Sequence, residues 1–322
     1  MGKYPKATQP TIYFIGVTTG KSSIMKVFPM WAKALGLKDA VIRGVDLKLH
    51  DEPSAYREIV AHIKEDPLSL GALVTTHKID LFDACADLFD YLDYYASLMG
   101  EISCISKRDG QLRGHAKDPI TSGLALESFL PENYWRQTGA EVLVMGAGGS
   151  SIAITSYLMK PEFGENRPSK IIVANRSTPR LEKMKKIHEK IDPAFPCEYH
   201  HTPEARQIDE LVNRLKRGSL VINATGLGKD RPGSPITDAA SFPQDGIAWD
   251  FNYRGDLLFL DQAKRQQREK NLRIEDGWVY FIHGWTQVIF EVFDLDVDIN
   301  SPKFKELCRI AEEAANRKAA QR

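Results

Sequence analysis

The first part of the chain alternates between two periods of apolar residues. The segments TIYFIG, AVIRGVDL and LSLGALVTT are short, apolar and rich in β-branched residues, as buried strands are. The segments between them, SSIMKVFPMWAKALGL and SAYREIVAHIKED, carry apolar residues at helical spacing, and residues 78–89 continue in the same way. Strands that alternate with helices in this order predict a mostly parallel sheet covered by helices.

A hairpin and a connecting helix follow this first set. The segment GEISCISKRDGQLRGHAKD reads as two strands joined by a turn at Arg108-Asp109-Gly110. PITSGLALESFL begins with proline and continues with helical spacing, which suits a connecting helix.

A second alternating set begins at residue 141. We predict strands in EVLVMG, KIIVANR, SLVINATG and GIAWDFNY, and helices in GSSIAITSYLM, PRLEKMKKIHEKI and GDLLFLDQAKRQQREKN. From Trp278 to Arg322 the pattern is that of two helices and contains no strand. The predicted fold class is therefore α/β, with two α/β domains joined by helices and a crevice between them.

A glycine-rich turn joins the strand EVLVM to the helix after it. It reads Gly146-Ala147-Gly148-Gly149-Ser150-Ser151, in which Gly146 allows the tight turn and Gly148 lets backbone amides approach a pyrophosphate. The helix N-terminus adds a partial positive charge. Ser151 replaces the third glycine of the dinucleotide fingerprint and is small enough for close packing. A turn without a ligand is the alternative, but a strand before it and a helix after it favour dinucleotide binding.

The end of the next strand indicates which dinucleotide binds. NAD sites usually offer a carboxylate there for the ribose 2′-hydroxyl. This chain instead has Asn175-Arg176-Ser177-Thr178-Pro179-Arg180, without an acidic residue. Arg176 can pair with a 2′-phosphate and stack on adenine, and Arg180 approaches from the first helical turn. Either arginine alone reads as a surface charge, but together they predict NADP.

Composition and charge exclude several classes of function. Lys+Arg and Asp+Glu both number 43, so the chain has no basic footprint for nucleic acid or an anionic membrane. No segment has the apolar length of a signal peptide or of a membrane span. The four cysteines are widely spaced, so we expect reduced thiols in a cytoplasmic protein. No His/Cys/Asp/Glu cluster has metal-ligand spacing, and we predict no metal.

Taken together, these motifs resemble those of the shikimate/quinate dehydrogenase family. The motifs that carry the resemblance are VTTHK, GHAKD, VMGAGGSS, ANRSTPR, INATGLG and DFNYR, spread over nearly the whole length. The resemblance implies a substrate-binding catalytic α/β domain over residues 1–125 and an NADP-binding Rossmann domain over 126–276. C-terminal helices over 277–322 would then pack back on the first domain.

The resemblance also implies a catalytic pair. The family has a lysine after its VT-containing strand and an aspartate in an N-T-D-G-like loop, and Lys78 and Asp118 fall at those places. VTTHK is one residue shorter than the usual VTxPxK. Lys78 can act as a general base or as a cation that stabilises the alkoxide, and the sequence leaves both open. From INAT the resemblance adds cofactor contacts, so that the predicted cofactor-binding residues are Gly146, Ala147, Gly148, Gly149, Ser150, Asn175, Arg176, Ser177, Arg180, Asn223, Ala224 and Thr225.

The substrate contacts depart further from the family pattern. The S-x-S motif that holds a substrate carboxylate reads Gly20-Lys21-Ser22, the asparagine before VT is Leu73, and the asparagine of the A-V-N-T strand is Ser103. Ser22 is as well suited to capping a helix as to binding a carboxylate. The expected glutamine falls on Gly284 or Trp285, and Gln287 lies about one turn later. The predicted substrate-binding residues are Ser22, Thr75, Ser103, Tyr253 and Gln287.

The resemblance implies reversible NADP-dependent hydride transfer between a cyclic hydroxy acid, 3-dehydroshikimate/shikimate or a relative, and the nicotinamide. Lys78 and Asp118 would handle the proton. Because the substrate contacts diverge, a quinate or aminoshikimate-type dehydrogenase remains an alternative. A non-catalytic NADP-binding regulatory module is a further one, which the retention of Lys78 and Asp118 disfavours. We expect a small-molecule substrate, no nucleic acid or membrane partner, and a homodimer as one option for assembly.

Overall fold

The computed structural model describes residues 4–229 and 231–316. Within them, one compact unit comprises the chain up to Lys117 together with the stretch from Gly284 on, and the other comprises Asp118–His283. The tail predicted from the sequence runs to Arg322, and residues 317–322 lie outside the described residues.

The elements alternate much as the sequence predicts. The strands are β1 Thr11–Gly16, β2 Val41–Asp46, β3 Ser69–Val74, β4 Tyr91–Leu92, β5 Cys104–Arg108, β6 Gln111–His115, β7 Val142–Met145, β8 Ile171–Asn175, β9 Cys197–His201, β10 Leu220–Asn223, β11 Ile247–Asp250 and β12 Arg273–Glu275. The helices are α1 Ile24–Ala34, α2 Pro53–Glu65, α3 Lys78–Cys85, α4 Tyr94–Met99, α5 Asp118–Glu127, α6 Tyr134–Thr138, α7 Gly149–Leu158, α8 Thr178–Ile191, α9 Ala205–Asn213, α10 Leu258–Lys270, α11 Trp278–Val292 and α12 Pro302–Ala314.

The sheet of the first unit has the order β2-β1-β3-β5-β6-β4. β1 pairs in parallel with β2 and β3, and β5 and β6 form an antiparallel hairpin beside β3. The hairpin turn lies at Asp109 and Gly110, whose φ angles of 54° and 75° are both left-handed, as a type I′ turn requires. The predicted hairpin is therefore confirmed.

The C-terminal helices pack with this first sheet. The Trp31 indole on α1 donates to the carbonyl of Leu307 on α12 at 2.7 Å, and the rings of Phe14 and Trp285 meet edge-on at 4.9 Å. The compact units divide after Lys117 and His283, whereas the sequence placed the domain limits after residues 125 and 276. The domain limits themselves stay a prediction.

The sheet of the second unit is entirely parallel, with the order β12-β11-β10-β7-β8-β9. Counted from β7, this is the 3-2-1-4-5-6 order of a Rossmann fold. The strand order reverses between β7 and β10, and in such sheets ligands bind outside the carboxyl ends of the strands at that reversal. The predicted α/β fold class is confirmed.

Four elements of the second unit were missed: α6, β9, α9 and β12. β9 reads CEYHH and lies at the sheet edge, where it is only half-buried, so it lacks the apolar run of a central strand. The helix α9 has its buried residues Ile208, Leu211 and Val212 at helical spacing, a signal that was present in the sequence. β12 is a short edge strand.

Two absences hold for the part of the chain that the structure describes. None of its helices combines the length and the apolar character needed to cross a membrane. No group of three or more His, Cys, Asp or Glu side chains there is arranged to hold a metal ion.

Candidate active site

The turn after β7 requires glycine at its first position. Gly146 has a φ of 108°, in the region that side chains rarely adopt, and a Cβ there would lie 2.9 Å from the carbonyl oxygen of Ala224. The end of β10 therefore approaches the turn so closely that only glycine fits. Gly146 N donates to the carbonyl of Ala174 at 2.8 Å, which ties the turn to the end of β8 as well.

Gly148 has a different role from Gly146. Its φ of −93° is open to any residue, and an added Cβ would meet no protein atom within 4 Å. The protein's own packing therefore does not require glycine here, and the space above the turn is open. α7 begins at the next residue, so its first backbone N–H groups lack helical partners and can bind an anion.

A cavity of about 290 Å³ opens beside this turn. No aspartate or glutamate is present among its described lining residues, whereas arginines 176, 180 and 231 all contribute. Of the predicted cofactor contacts, the lining includes Gly146, Ala147, Gly148, Asn175, Arg176, Arg180, Ala224 and Thr225. The cavity therefore has the charge that suits a phosphate-bearing ligand.

The other predicted contacts lie around the cavity without lining it. Gly149 and Ser150 form the first turn of α7, and the Ser177 carbonyl accepts from the Asn175 side-chain amide at 3.0 Å. Asn223 is fully buried, and its Oδ1 accepts from both the backbone N–H and the hydroxyl of Thr225, at 3.2 and 2.7 Å. Asn223 therefore acts on the cavity indirectly, because it holds Thr225 in the segment after β10.

A buried carboxylate holds the same segment. Asp250, at the end of β11, accepts from the Asn223 side-chain amide at 3.0 Å and from the Asn252 backbone N–H at 2.8 Å. Burial raises the pKa of Asp250 to about 6, against which these two hydrogen bonds act. Sequence reasoning missed this residue, because DFNY was read for its tyrosine alone. Tyr253 itself packs against Trp278 and Phe281, with ring centroids 5.5 and 4.9 Å apart.

In the first unit, the candidate residues lie where several strands end together. Thr75 follows β3, and its backbone N–H donates to the carbonyl of Ile15 on β1 at 3.0 Å. Val74 N donates to the Ser103 carbonyl at 2.8 Å, because β5 runs antiparallel to β3 and begins at this edge. Thr75, Lys78 and Ser103 therefore belong to one edge of the sheet.

The VTTHK segment makes a sharp turn between β3 and α3. Thr76 has a φ of 56°, a left-handed conformation that costs a β-branched residue on the order of 1 kcal/mol. The backbone N–H of His77 donates back to the carbonyl of Thr75. Lys78 is the first residue of α3, and its carbonyl accepts from Ile102 N at 3.1 Å. The start of the helix is thus fixed to the neighbouring strand.

His77 lies at the end of a polar chain that leads to the surface. It is fully buried, and its Nδ1 is 3.3 Å from the Tyr56 hydroxyl, which donates to Asp80 at 3.4 Å. Asp80 in turn lies 3.1 Å from Nδ1 of the exposed His50. His77 therefore has a packing and hydrogen-bonding role of its own.

The backbone that leads to Asp118 is held by side chains. The Ser103 hydroxyl accepts from Lys117 N at 2.8 Å and donates to the His115 carbonyl at 3.4 Å. Asp93 accepts from Ala116 N at 3.2 Å. Ser103 is buried, so its predicted contact with substrate stays a prediction beside this observed bracing role.

Glu291 on α11 ties this backbone to the C-terminal helices. Its carboxylate binds the Lys117 ammonium at 2.8 Å and lies 3.4 Å from Nε2 of His115, and Ser106 donates to it at 3.2 Å. Burial alone would raise the pKa of Glu291, but the hydrogen bond and charge of Lys117 hold it below the ordinary value. Sequence reasoning missed Glu291 and Lys117, since the ion pair spans 174 positions.

Comparisons with known proteins support one family. No family model matches the chain. The shikimate dehydrogenase (NADP(+)) of Methylocella silvestris is 24% identical over 279 residues, which cover 86% of this chain and 88% of that protein. The enzyme of the same name from Streptococcus thermophilus is 25% identical over 181 residues, covering 56% of this chain and 59% of that protein, less than two thirds of its length. The structure of quinate dehydrogenase from Corynebacterium glutamicum in complex with NAD superposes with a TM-score of 0.72 at 20% identity, covering 96% of this chain and 99% of that one.

These comparisons confirm the predicted resemblance to the shikimate/quinate dehydrogenase family.

Within this family pattern, the shortened VTTHK segment has a structural explanation. The left-handed Thr76 turns the chain within a single residue, so that α3 still begins directly after the strand edge. Lys78 belongs to the first compact unit, and Asp118 is the first residue of the second. Their predicted pairing therefore stays a prediction.

Two further residues that are predicted to contact substrate, Ser22 and Gln287, belong to the first unit. Ser22 follows a short 3-10 turn at Thr19–Lys21, and its backbone N–H donates to the Thr19 carbonyl at 3.0 Å, whereas the N-cap of α1 is the next residue, Ser23. Gln287 lies on α11 one turn before Glu291, on the stretch that packs with the first sheet. Their contact with substrate stays a prediction.

Proposed function

We propose that this protein is an NADP-dependent alcohol dehydrogenase that acts on a cyclic hydroxy acid. The observation that carries the proposal is the arginine-lined cavity, without a carboxylate among its described lining residues, beside the Gly146–Gly148 turn at the strand-order reversal. Similarity to shikimate and quinate dehydrogenases supports the reaction class, and the relatives from Methylocella silvestris and Streptococcus thermophilus are named for NADP(+).

The residues present fit NADP. The open space over Gly148 and the N-terminus of α7 suit the pyrophosphate. Arg176 and Arg180, at the end of β8 and the start of α8, suit a 2′-phosphate, because a guanidinium offers paired donors to a phosphate. When bound, the nicotinamide supplies the hydride acceptor of the alcohol oxidation.

Lys78 and Asp118 are proposed to handle the proton. Oxidation of a secondary alcohol moves a hydride from carbon to the nicotinamide and a proton from the hydroxyl to a protein base. We assign that proton jointly to Lys78 and Asp118, with Asp118 also orienting the hydroxyl. In the reverse direction the same pair would protonate the developing alkoxide.

The substrate class rests on the substrate-binding positions. Ser22, Thr75, Ser103, Tyr253 and Gln287 are proposed to contact the substrate. Because Gly20 and Leu73 stand where the family has polar residues, the substrate is proposed to be 3-dehydroshikimate/shikimate or a relative such as quinate or an amino-substituted shikimate. A regulatory module without turnover is the competing function, and the presence of both Lys78 and Asp118 speaks against it.

A substrate screen tests the proposal. Shikimate, quinate, an aminoshikimate and simpler cyclic hydroxy acids are each incubated with the protein and either NADP or NAD, and the absorbance of the reduced nicotinamide is followed. We expect reduction of NADP with at least one carboxylated ring substrate. Tight NADP binding without turnover of any compound would favour the regulatory module instead.

We also propose a cellular location and an oligomeric state. None of the four cysteines, Cys85, Cys104, Cys197 and Cys308, which all lie in the described part of the chain, forms a disulfide, in keeping with a cytoplasmic location. A homodimer remains a prediction, which light scattering on the purified protein would test.

A further inference from the structure

A third arginine, Arg231, lines the cavity beside the glycine turn. It lies in the segment after β10, whereas Arg176 and Arg180 belong to the end of β8 and the start of α8. Because β10 and β8 flank β7 on opposite sides, Arg231 approaches from the wall opposite the other two arginines. We propose that Arg231 binds the pyrophosphate of the dinucleotide. The inference rests on the proposed function and adds a residue to it.

The segment that carries Arg231 is anchored where it leaves β10. The carbonyl of Leu227 accepts from the side-chain amides of Asn252, at 3.0 Å, and Asn223, at 3.3 Å. Gly228 N donates to the carbonyl of Arg231 at 2.7 Å, and Leu227 and Arg231 form an isolated parallel β-bridge. The backbone of Arg231 is therefore fixed relative to the end of β10.

The far end of the same segment is anchored as well. Asp209 on α9 accepts from the backbone N–H of Thr237 at 2.9 Å, and Gln262 donates to the carbonyl of Ile236 at 3.2 Å. An arginine held on a segment fixed at both ends loses less conformational freedom when it binds a ligand than one on a free loop.

The guanidinium keeps donors for a ligand. Its Nη2 donates to the carbonyl of Thr225 at 3.3 Å, which directs the group toward the end of β10. An arginine has five N–H donors, and a contact through one of them leaves others available. Arg231 is exposed, and the described residues that line its cavity include no carboxylate. The positive charge of the guanidinium therefore favours an anion as its partner.

The pyrophosphate is favoured over the 2′-phosphate by position. In a Rossmann fold the ribose 2′ position lies at the end of the second strand, here β8, and the pyrophosphate lies over the turn after the first strand, here β7. Arg231 comes from the β10 side, away from the end of β8. The α7 N-terminus alone supplies only about half an elementary charge to a doubly charged pyrophosphate. Arg231 supplies a full one.

Equilibrium binding of NADPH and NADH, followed by nicotinamide fluorescence, tests this assignment in wild type, Arg231→Gln, Arg231→Lys and Arg176→Gln. Both cofactors share the pyrophosphate, so Arg231→Gln is expected to weaken both by the same factor, about tenfold or more. Arg231→Lys, which keeps the charge, is expected to recover part of the loss. Arg176→Gln is the matched control and is expected to weaken the binding of NADPH much more than that of NADH.

Two results would overturn the assignment. Unchanged affinities in Arg231→Gln would reduce Arg231 to a support for the Thr225 carbonyl, and a loss confined to NADPH would move its contact to the 2′-phosphate. Thermal unfolding without cofactor separates a binding loss from a folding loss, and Arg231→Lys keeps the test open if Arg231→Gln fails to fold. A wild type that binds neither cofactor would instead contradict the proposed function.

Discussion

The ion pair between Lys117 and Glu291 is expected to control both stability and turnover, although neither residue is assigned to bind substrate. The two side chains are only 17% and 15% exposed and lie 2.8 Å apart. Glu291→Gln keeps the size of the side chain and an oxygen for Ser106, but it leaves the Lys117 ammonium without its counter-charge in a mostly buried place. Breaking a buried pair in this way costs about 3–5 kcal/mol, and partial access of water places the expected loss near 2–3 kcal/mol.

The surface pair Lys303–Glu306 is the matched control. It has the same residue types and the same 2.8 Å separation, but its side chains are 45% and 41% exposed. Glu306→Gln is therefore expected to change the free energy of unfolding by less than about 1 kcal/mol. Urea unfolding of both variants measures the difference directly.

A double-mutant cycle isolates the pair. Lys117→Met removes the cation, and Lys117→Met with Glu291→Gln leaves two neutral side chains, so the double variant is expected to lose about 1–3 kcal/mol less than the sum of the single losses. Because Lys117 directly precedes Asp118, kcat of folded Glu291→Gln is expected to fall about tenfold or more, with a smaller change in KM. Equal unfolding free energies for Glu291→Gln and Glu306→Gln would refute this reasoning, and an unchanged kcat would confine the pair to stability.

Three further predictions follow from the two units. Arg176→Ala is expected to erode the preference for NADP over NAD by about tenfold or more in equilibrium binding, and equal losses for both cofactors would contradict the 2′-phosphate assignment. The pKa of Asp250 lies at about 6, above its ordinary 3.8, so its stabilising contribution is full below pH 3.8 and falls as the pH rises through 6. The free energy of unfolding of Asp250→Asn relative to that of wild type is thus expected to rise by about 3 kcal/mol as the pH increases from below 3.8 to above 6, because the pKa shift of about 2 units corresponds to about 1.4 kcal/mol per unit. Parallel profiles of the two proteins in urea unfolding would contradict this. Lys78→Ala and Asp118→Asn are each expected to lower kcat far more than cofactor affinity, with a double variant that loses much less than the product of the single losses; fully multiplicative losses would mean independent roles.

Local signals in the sequence predicted most of the fold. The Gly146 turn, the hairpin at Asp109-Gly110 and the paired arginines after β8 each depend on residues that are close together along the chain. The relevant physical constraint, such as a left-handed φ or a strand–turn–helix order, can be read from a few consecutive positions.

The features that were missed depend on contacts between distant segments. Glu291 meets Lys117 across 174 positions, and Arg231 lines the cavity on a segment after β10 that Asn252 and Asp209 anchor. The amino-acid sequence around Asp250 does not indicate that its carboxylate is buried and bound by Asn223 and Asn252. Long-range packing decides these roles, and it is not contained in local periodicity.

Transfer of a labelled hydride tests the proposed reaction most directly. The protein is supplied with NADPH that carries deuterium at the transferred position, together with the keto form of whichever cyclic hydroxy acid the screen identifies, and the product is analysed by mass spectrometry. We expect one deuterium on the new carbinol carbon in wild type and almost none in Lys78→Ala over the same time. Product without deuterium, or Lys78→Ala that labels its product as fast as wild type, would contradict the proposed dehydrogenase mechanism.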